Sequence, residues 1–241
     1  MAYCRWAIRE EYIMEIIEAI RTRRSIRLFK PDPVPRKVLE EILDATRWAP
    51  SGGNAQPWHF AVLGGEALDK VKARLRENVK AYWDGTTFTK VNPDLPRTVP
   101  YPRELMSRTA SLREQMNAFV YPPGTEDVEK KQEEHRARGQ RFFDAPNAII
   151  IYCDDASPTV MGAVGIVSQT ICLAALAYGL GTCIMGQPII WPEIYRELFG
   201  IPEGKPIATS IAIGYPDTDA PVNNFPRPRE SLDALVDWHG V

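Results

Sequence analysis

Reactive side chains are scarce in this 241-residue chain, which holds four cysteines and three histidines. Cys4, Cys153, Cys172 and Cys183 include no CxxC spacing, so neither a thiolate metal site nor a paired redox motif is expected. Three of the four sit in strongly apolar segments and read as buried reduced thiols, which points to a reducing compartment, the cytoplasm. His59 lies in an apolar run beside Trp58, while His135 and His239 read as solvated. No metal-ligand spacing and no Ser-His-Asp arrangement stands out. A charge excess of either sign is also lacking: 29 Lys and Arg against 31 Asp and Glu leave −2. That balance excludes general attraction to nucleic acid or to an anionic membrane, so any anion binding must be local. A GxGxxG opening is missing, which argues against a Rossmann domain. Met1–Trp6 shows no basic patch followed by an apolar run, so no signal peptide is expected.

The longest apolar stretch, Met161 to Tyr178, carries Ser168, Gln169 and Thr170 at its middle and Gly162 and Gly165 earlier. Those residues suit a long buried helix of a folded core better than a membrane span. Apolar residues at 44% and charged residues at 25% support such a core within one domain over residues 1–241.

Periodicity supplies the elements. Ile13, Ile16, Ile17 and Ile20 recur at helical spacing up to an arginine cluster. After Pro31, Pro33 and Pro35, a second helix runs through Val38, Leu39, Ile42 and Leu43 and ends before Pro50. Trp58–Leu63 reads as a short strand stopped by Gly64-Gly65, and a helix from Glu66 towards Lys80 follows. Residues 81–125 form an insertion with six prolines interleaved with Tyr82, Trp83, Phe88, Tyr101, Phe119 and Tyr121. Prolines among aromatics argue for ordered structure with a short helix near Leu105–Phe119, serving as a lid, as surface cover or as a dimer arm. A helix Glu126–Phe143 then leads to an apolar strand, Asn147–Cys153. Ser157-Pro158 reads as an N-cap with proline in the first turn of the long helix. Thr182–Met185 and Ala208–Ile213 read as strands, and Trp191–Phe199 as a helix closed by Gly200. The class is α+β with a central mixed sheet.

Three separated cassettes carry the chemistry. In Arg23-Arg24-Ser25-Ile26-Arg27, an extended backbone would turn Arg23, Ser25 and Arg27 to one side, where two guanidinium forks and a hydroxyl suit phosphate oxygens. Pro50-Ser51-Gly52-Gly53-Asn54-Ala55-Gln56-Pro57-Trp58 offers a close backbone approach and amides that both donate and accept, as a planar polar ring requires. Arg227-Pro228-Arg229 returns two guanidiniums some two hundred residues later. Taken singly, each also fits a basic helix end, a helix-to-strand turn or a solvated tail.

Together, the string Ala49-Pro50-Ser51-x-x-Asn54-x-Gln56-Pro57-Trp58-x-Phe60, the arginine cluster and the terminal pair resemble the nitroreductase-like flavoprotein family. The resemblance covers roughly residues 20–65 and 140–230. It implies the nitroreductase-like fold, FMN held between the chains of an intertwined homodimer, and NADH or NADPH as electron donor. By that match Arg23, Arg24, Ser25, Arg27, Arg227 and Arg229 hold the phosphate side, and Pro50, Ser51, Gly52, Asn54 and Gln56 the ring. Arg141 falls where relatives place a basic flavin contact, and Met185 with Gly186 borders the reactive N5. Many relatives carry an acidic residue or a hydroxyl there, so the Gly186 backbone N–H is the donor expected here. The implied activity is reduction of nitroaromatics, quinones or similar small electron-poor rings by ping-pong kinetics, with no protein nucleophile. Reductive dehalogenation, cleavage of the flavin itself and a flavin-binding module without turnover are the alternatives on the same fold.

Overall fold

The computed structural model describes residues 15–85, 87–95 and 102–241. Four strands form its sheet: β1 Trp58–Gly64, β2 Asn147–Cys153, β3 Gly181–Met185 and β4 Ile207–Gly214, in the order β1-β2-β4-β3. Every neighbouring pair is antiparallel. The mixed character expected from sequence enters only at the β3 edge, through a parallel bridge between Ser25 and Thr182.

Alternation along β2 makes this a three-layer structure. Ile149 and Ile151 face one side with Leu39 and Ile42 of α2 (Arg36–Thr46) and with α6 (Pro158–Leu176). Ala148 and Ile150 face the other side, with Leu68, Val71 and Leu75 of α3 (Gly65–Tyr82) and Ile194 and Tyr195 of α7 (Glu193–Phe199). This is the two-residue period of a strand covered on both faces. All three isoleucines are fully buried, each stabilising by about 1.5–3 kcal/mol. The buried Asn147 side chain is satisfied: it accepts from the Val34 N–H at 2.9 Å and donates to the Leu63 carbonyl at 3.3 Å.

Helix α1 (Ile16–Thr22) ends just before the arginine cluster, as its periodicity predicts. Its expected apolar face is uncovered in this chain, with Ile16, Ile17 and Ile20 all exposed; Ile13 lies outside the described residues. Helix α4 (Arg103–Val120) is a full eighteen residues rather than a short helix. Helix α5 (Val128–Gln140) stops short of the expected Phe143. Phe142, Phe143 and Asp144 instead take positive φ values of 63°, 51° and 57°, a left-handed turn of three non-glycine residues. Such a residue costs on the order of 1 kcal/mol or more. Burial of both phenylalanine rings in the α3-side core offsets that cost.

Helix α6 opens on Ser157, whose Oγ accepts the Val160 N–H at 3.4 Å, with proline in the first turn. It is long and apolar enough to cross a membrane by composition, yet Val164, Val167, Ile171, Cys172 and Ala175 are buried against the sheet. Gly162, Gly165 and Ile166 line its exposed side. A short helix, α8 (Pro221–Asn224), precedes the terminal arginines and was not signalled by periodicity. Cys153, Cys172 and Cys183 are buried free thiols, as expected, while Cys4 lies outside the described residues.

Candidate functional site

The two basic cassettes meet at the β3 edge. Ile26 donates its N–H to the Thr182 carbonyl at 2.9 Å and buries its side chain against Gly181. A Cβ on Gly181 would stand 2.4 Å from Ile26 Cγ1, so glycine is what lets the cassette lie this close to β3. With Ile26 turned inward, strand alternation sends Ser25 and Arg27 to the opposite side.

Asn223 of α8 clasps the cassette. It is 3% exposed, and its Oδ1 accepts the Arg27 N–H at 2.7 Å while its backbone oxygen accepts Arg24 Nη1 at 2.5 Å. Its Nδ2 donates to the Leu28 and Asp217 carbonyls, both at 2.8 Å, so every polar group of the side chain is used. Arg227 donates to the backbone oxygens of Arg23 and, at 2.8 Å, of Arg21. Partial burial and the neighbouring Arg24, Arg229 and Arg23 push the Arg227 guanidinium below its ordinary pKa.

Among the described residues no carboxylate lies within ion-pairing distance of Arg23, Arg24, Arg27, Arg227 or Arg229. Crowded guanidiniums without a counter-charge repel one another, and an anion relieves that repulsion. The arrangement fits a phosphate group.

The amide-rich loop lies elsewhere. Gly53, Asn54 and Gln56 have φ values of 58°, 56° and 47°. The loop is held by Ser51 Oγ accepting the Gln56 N–H at 2.9 Å and by Gln56 Nε2 donating to the Asn54 carbonyl at 3.2 Å. Gly52, Asn54 and Gln56 are exposed, as are Pro50 and the neighbouring Trp48. A Cβ on Gly52 would touch Thr159 in the first turn of α6 at 3.4 Å. Ser25 and Ile26, by contrast, sit at Thr182 and Gly181, just beyond the last turn of α6. The nineteen residues of α6 measure about 28 Å between those ends. The sheet agrees, because Trp58 opens β1 at one corner and Gly181, beside Thr182, opens β3 at the corner diagonally across. One chain therefore brings the arginine cassettes together and holds the Pro50–Gln56 loop a helix length away.

At the end of β3, Met185 is buried, and its carbonyl accepts Ser210 Oγ at 2.8 Å and Thr209 Oγ1 at 3.4 Å. The Gly186 N–H has no backbone partner among the described residues and is a donor available to a ligand. The turn Gln187–Ile189 follows, and the end of α5 packs against it. Arg141 makes a two-point ion pair with Asp144, Nε to Oδ1 at 2.6 Å and Nη2 to Oδ2 at 3.0 Å. Lys72 of α3 is buried beneath this turn and donates to the Ala145 carbonyl at 2.8 Å. Burial pulls its pKa down, while Asp144 and Asp69 push it up.

A cleft of about 360 Å³ opens beside Arg27, lined by Tyr121, Lys131, His135 and Arg138 on one wall and by Asp217 and Asp219 on the other. His135 corrects the expectation of a solvated ring. It is partly buried, tilted against Phe143 with 5.4 Å between centroids. Burial, then the charges of Arg27 and Arg138, lower its pKa.

Parts of the insertion pack on the body of the chain. Trp83 packs on Phe88, and Phe88 stands edge-on to Trp191, whose Nε1 donates to the Lys90 carbonyl at 2.9 Å. Phe119 packs edge-on to Phe225. Of the aromatics singled out from sequence, Tyr121 lines the cleft beside Arg27, and Tyr101 lies outside the described residues. Lys72 and Asn223 were not singled out because their key partners are far away in sequence and leave no local pattern; Asp144 and Arg138 were not singled out either, although Arg141 and Glu134 lie within four residues of them.

The chain thus combines an α+β core with arginines that have no ion-pair partner among the described residues, gathered at the edge of an antiparallel sheet. The nitroreductase family model matches residues 20–215, and the chain belongs to that family. It is 30% identical to the 4-nitrobenzoate reductase of Nocardioides sp. (strain LMS-CY), over 92% of this chain and 90% of that one. It is 28% identical to the nitroreductase NfnB of Mycolicibacterium smegmatis over 88% of each chain. Among solved structures it resembles the FMN and NADPH-dependent nitroreductase NfnB from Sphigopyxis sp. strain HMH, with a TM-score of 0.82 at 27% identity, covering 95% of this chain and all of that one. The NfnB of Mycobacterium smegmatis solved in complex with NADPH superposes with a TM-score of 0.81 at 26% identity, covering 92% of this chain and 96% of that one.

Proposed function

We propose that this chain is an FMN-dependent oxidoreductase that takes electrons from NADH or NADPH and passes them to nitroaromatic or similar electron-poor rings, working as a homodimer. The observation that carries the reading is the convergence of the Arg23–Arg27 segment with Arg227 and Arg229, without a carboxylate partner among the described residues. Arg23, Arg24, Ser25, Arg27, Arg227 and Arg229 would hold the cofactor phosphate. Pro50, Ser51, Gly52, Asn54 and Gln56 would border the ring, with Arg141 at its edge and the Gly186 N–H beside N5. Bound FMN supplies two-electron transfer through N5 between the nicotinamide donor and the acceptor. This chain's own part is to hold that group, exclude water and place positive charge where reduction builds negative charge.

The length of α6, about 28 Å, supports a site completed by a second chain. Two copies of α6 packed antiparallel across the exposed strip at Gly162, Gly165 and Ile166 would set the loop of each chain at the arginine end of the other. Ile16, Ile17, Trp48, Leu235 and Trp238 are also exposed, giving a dimer ample apolar surface beyond that strip. An obligate dimer of this kind buries more than ~2,000 Å². The substrate class follows the names of relatives at 27–30% identity, which include 4-nitrobenzoate reductase. Tyr121 in the cleft beside Arg27 is the insertion's contribution to holding the acceptor. On this reading the compartment is the cytoplasm, where the buried thiols stay reduced.

The test is anaerobic stopped-flow reduction of the yellow protein by NADPH or NADH, then mixing with 4-nitrobenzoate, a quinone or a halophenol. Rapid bleaching followed by reoxidation with the nitroaromatic is the expected result. Bound FMN that neither nucleotide reduces would overturn the reading.

A further inference from the structure

Three adjacent left-handed residues are rarely tolerated without a purpose, and here they aim a single carboxylate. The turn Phe142–Asp144 sends the chain back on itself so that both oxygens of Asp144 face the end of α5. Arg141 meets them with Nε and one edge of Nη2. A two-point pair fixes the plane of a guanidinium as one hydrogen bond cannot. It also leaves both Nη1 protons and the second Nη2 proton as donors along the opposite edge, in the same plane. Arg138 approaches the same carboxylate, Nε to Oδ2 at 3.9 Å, and its Nη2 is held by Glu134 at 2.7 Å. Lys72 is packed behind, bound to the carbonyl of the next residue, Ala145. Phe142 and Phe143 anchor the turn in the core that also contains Met185.

We propose that Asp144 is a positioning residue of the cofactor site: held by the left-handed turn, it clamps Arg141 so that the guanidinium's free edge is presented to the flavin. The inference rests on the reading that Arg141 contacts FMN, which is tested separately below. Asp144 does not touch the cofactor in this assignment. Its charge opposes Arg141, so its removal distinguishes the two ways in which a carboxylate can act. If Asp144 merely lowered the local positive potential, Asp144→Asn would favour the reduced cofactor and raise the midpoint potential. If it orients Arg141, the same change releases the cation and lowers the potential.

The experiment uses Asp144→Asn, Arg141→Lys, Arg141→Ala and the pair Asp144→Asn with Arg141→Ala. Each is read by FMN affinity of the apoprotein, by redox titration of the holoprotein and by thermal unfolding. Expected for Asp144→Asn are FMN binding weaker by about tenfold and a reduced form disfavoured by a further tenfold, a fall of about 30 mV for a two-electron couple. Arg141→Lys, which keeps the charge and loses the fork, should match it. The double variant should be no worse than Arg141→Ala alone. A potential that rises in Asp144→Asn, or effects that add in the double variant, overturns the positioning role. A change confined to thermal stability does so too. Unchanged affinity and potential in Arg141→Ala would instead sink the reading of Arg141 as a cofactor contact. Should Asp144→Asn not fold, Arg141→Lys compared with Arg141→Ala still decides, since equal affinity and potential in Arg141→Lys and wild type mean the clamp is not needed.

Discussion

Two defective chains should repair each other if the site is shared between the chains of a dimer, as proposed. In one variant, Arg23→Glu and Arg227→Glu destroy the basic cassette and leave the loop intact. In the other, Asn54→Ala and Gln56→Ala disable the loop and leave the cassette intact. Each lost charge-assisted contact of the cassette is worth about 1.5–3 kcal/mol and each neutral amide contact of the loop about 0.5–1.5 kcal/mol, so FMN binding weakens by about two to four decades in the first variant and by about one to two in the second. Either homodimer carries two spoiled sites. In a mixed dimer, one site joins the good cassette of one chain to the good loop of the other, and the second site combines both lesions. Tandem affinity purification of mixed dimers should therefore recover FMN at about one per two chains, half the wild-type content. A random mixture, half of it mixed dimers, should recover about a quarter. The assay is flavin absorbance per chain after gel filtration. Mixed dimers as empty as the two parents would refute the reasoning, because a chain that builds its own site gains nothing from a partner.

Other consequences follow from the same geometry. Gly181→Ala places a Cβ 2.4 Å from Ile26 Cγ1, so FMN affinity should fall about tenfold or more without any change to an arginine, as measured by fluorescence of released flavin. The His135 pKa is lowered by burial, then by Arg27 and Arg138. The unfolded chain therefore binds the extra proton first, and stability should be lost as pH falls below about 6.5. His135→Gln should flatten that part of a melting-temperature profile between pH 5 and 7. A slope unchanged by the substitution would contradict it. Trp191 is fully buried and braces Phe88 of the insertion. Trp191→Ala should cost about 3–5 kcal/mol and lower the calorimetric melting temperature by on the order of 10 °C. Cys153 is buried with its thiol pushed up to about 11, by burial first and then by Asp155 and Asp154. It should resist alkylation at pH 8 in the native protein and react once urea is added.

Much of the scaffold was legible because its signals are local. Ser157-Pro158 announced α6, the apolar run announced β2, and Gly200 closed α7 in a left-handed conformation. The arginine cassettes were readable as residue types, and their convergence became visible only in space, where Arg227 donates to the backbone oxygens of Arg23 and Arg21 and Asn223 accepts the N–H of Arg27, 196 positions away. The boundary of α5 was missed for a physical reason. Phe142 and Phe143 continue a helical pattern on paper, but their burial on the α3 side of the sheet pulls the backbone into a left-handed turn. Propensity yields there to packing. Solvation of His135 was misjudged in the same way, since the ring of Phe143 that covers it arrives from the turn and not from its own helix. Lys72 gave no signal at all, because a lysine on an amphipathic helix ordinarily reaches water and this one binds a carbonyl inside.

The half-covered central helix has a consequence for how this protein behaves at different concentrations. A chain alone leaves Gly162, Gly165 and Ile166 of α6 facing water along the helix that spans its core. On the dimer reading, association and folding then share one free energy, and dilution becomes a form of denaturation. Melting temperature should climb with protein concentration even with no cofactor added, and added FMN should raise it again by tying the two chains together. A cell making little of this protein would hold much of it unpartnered, so the level of synthesis itself would set how much enzyme exists.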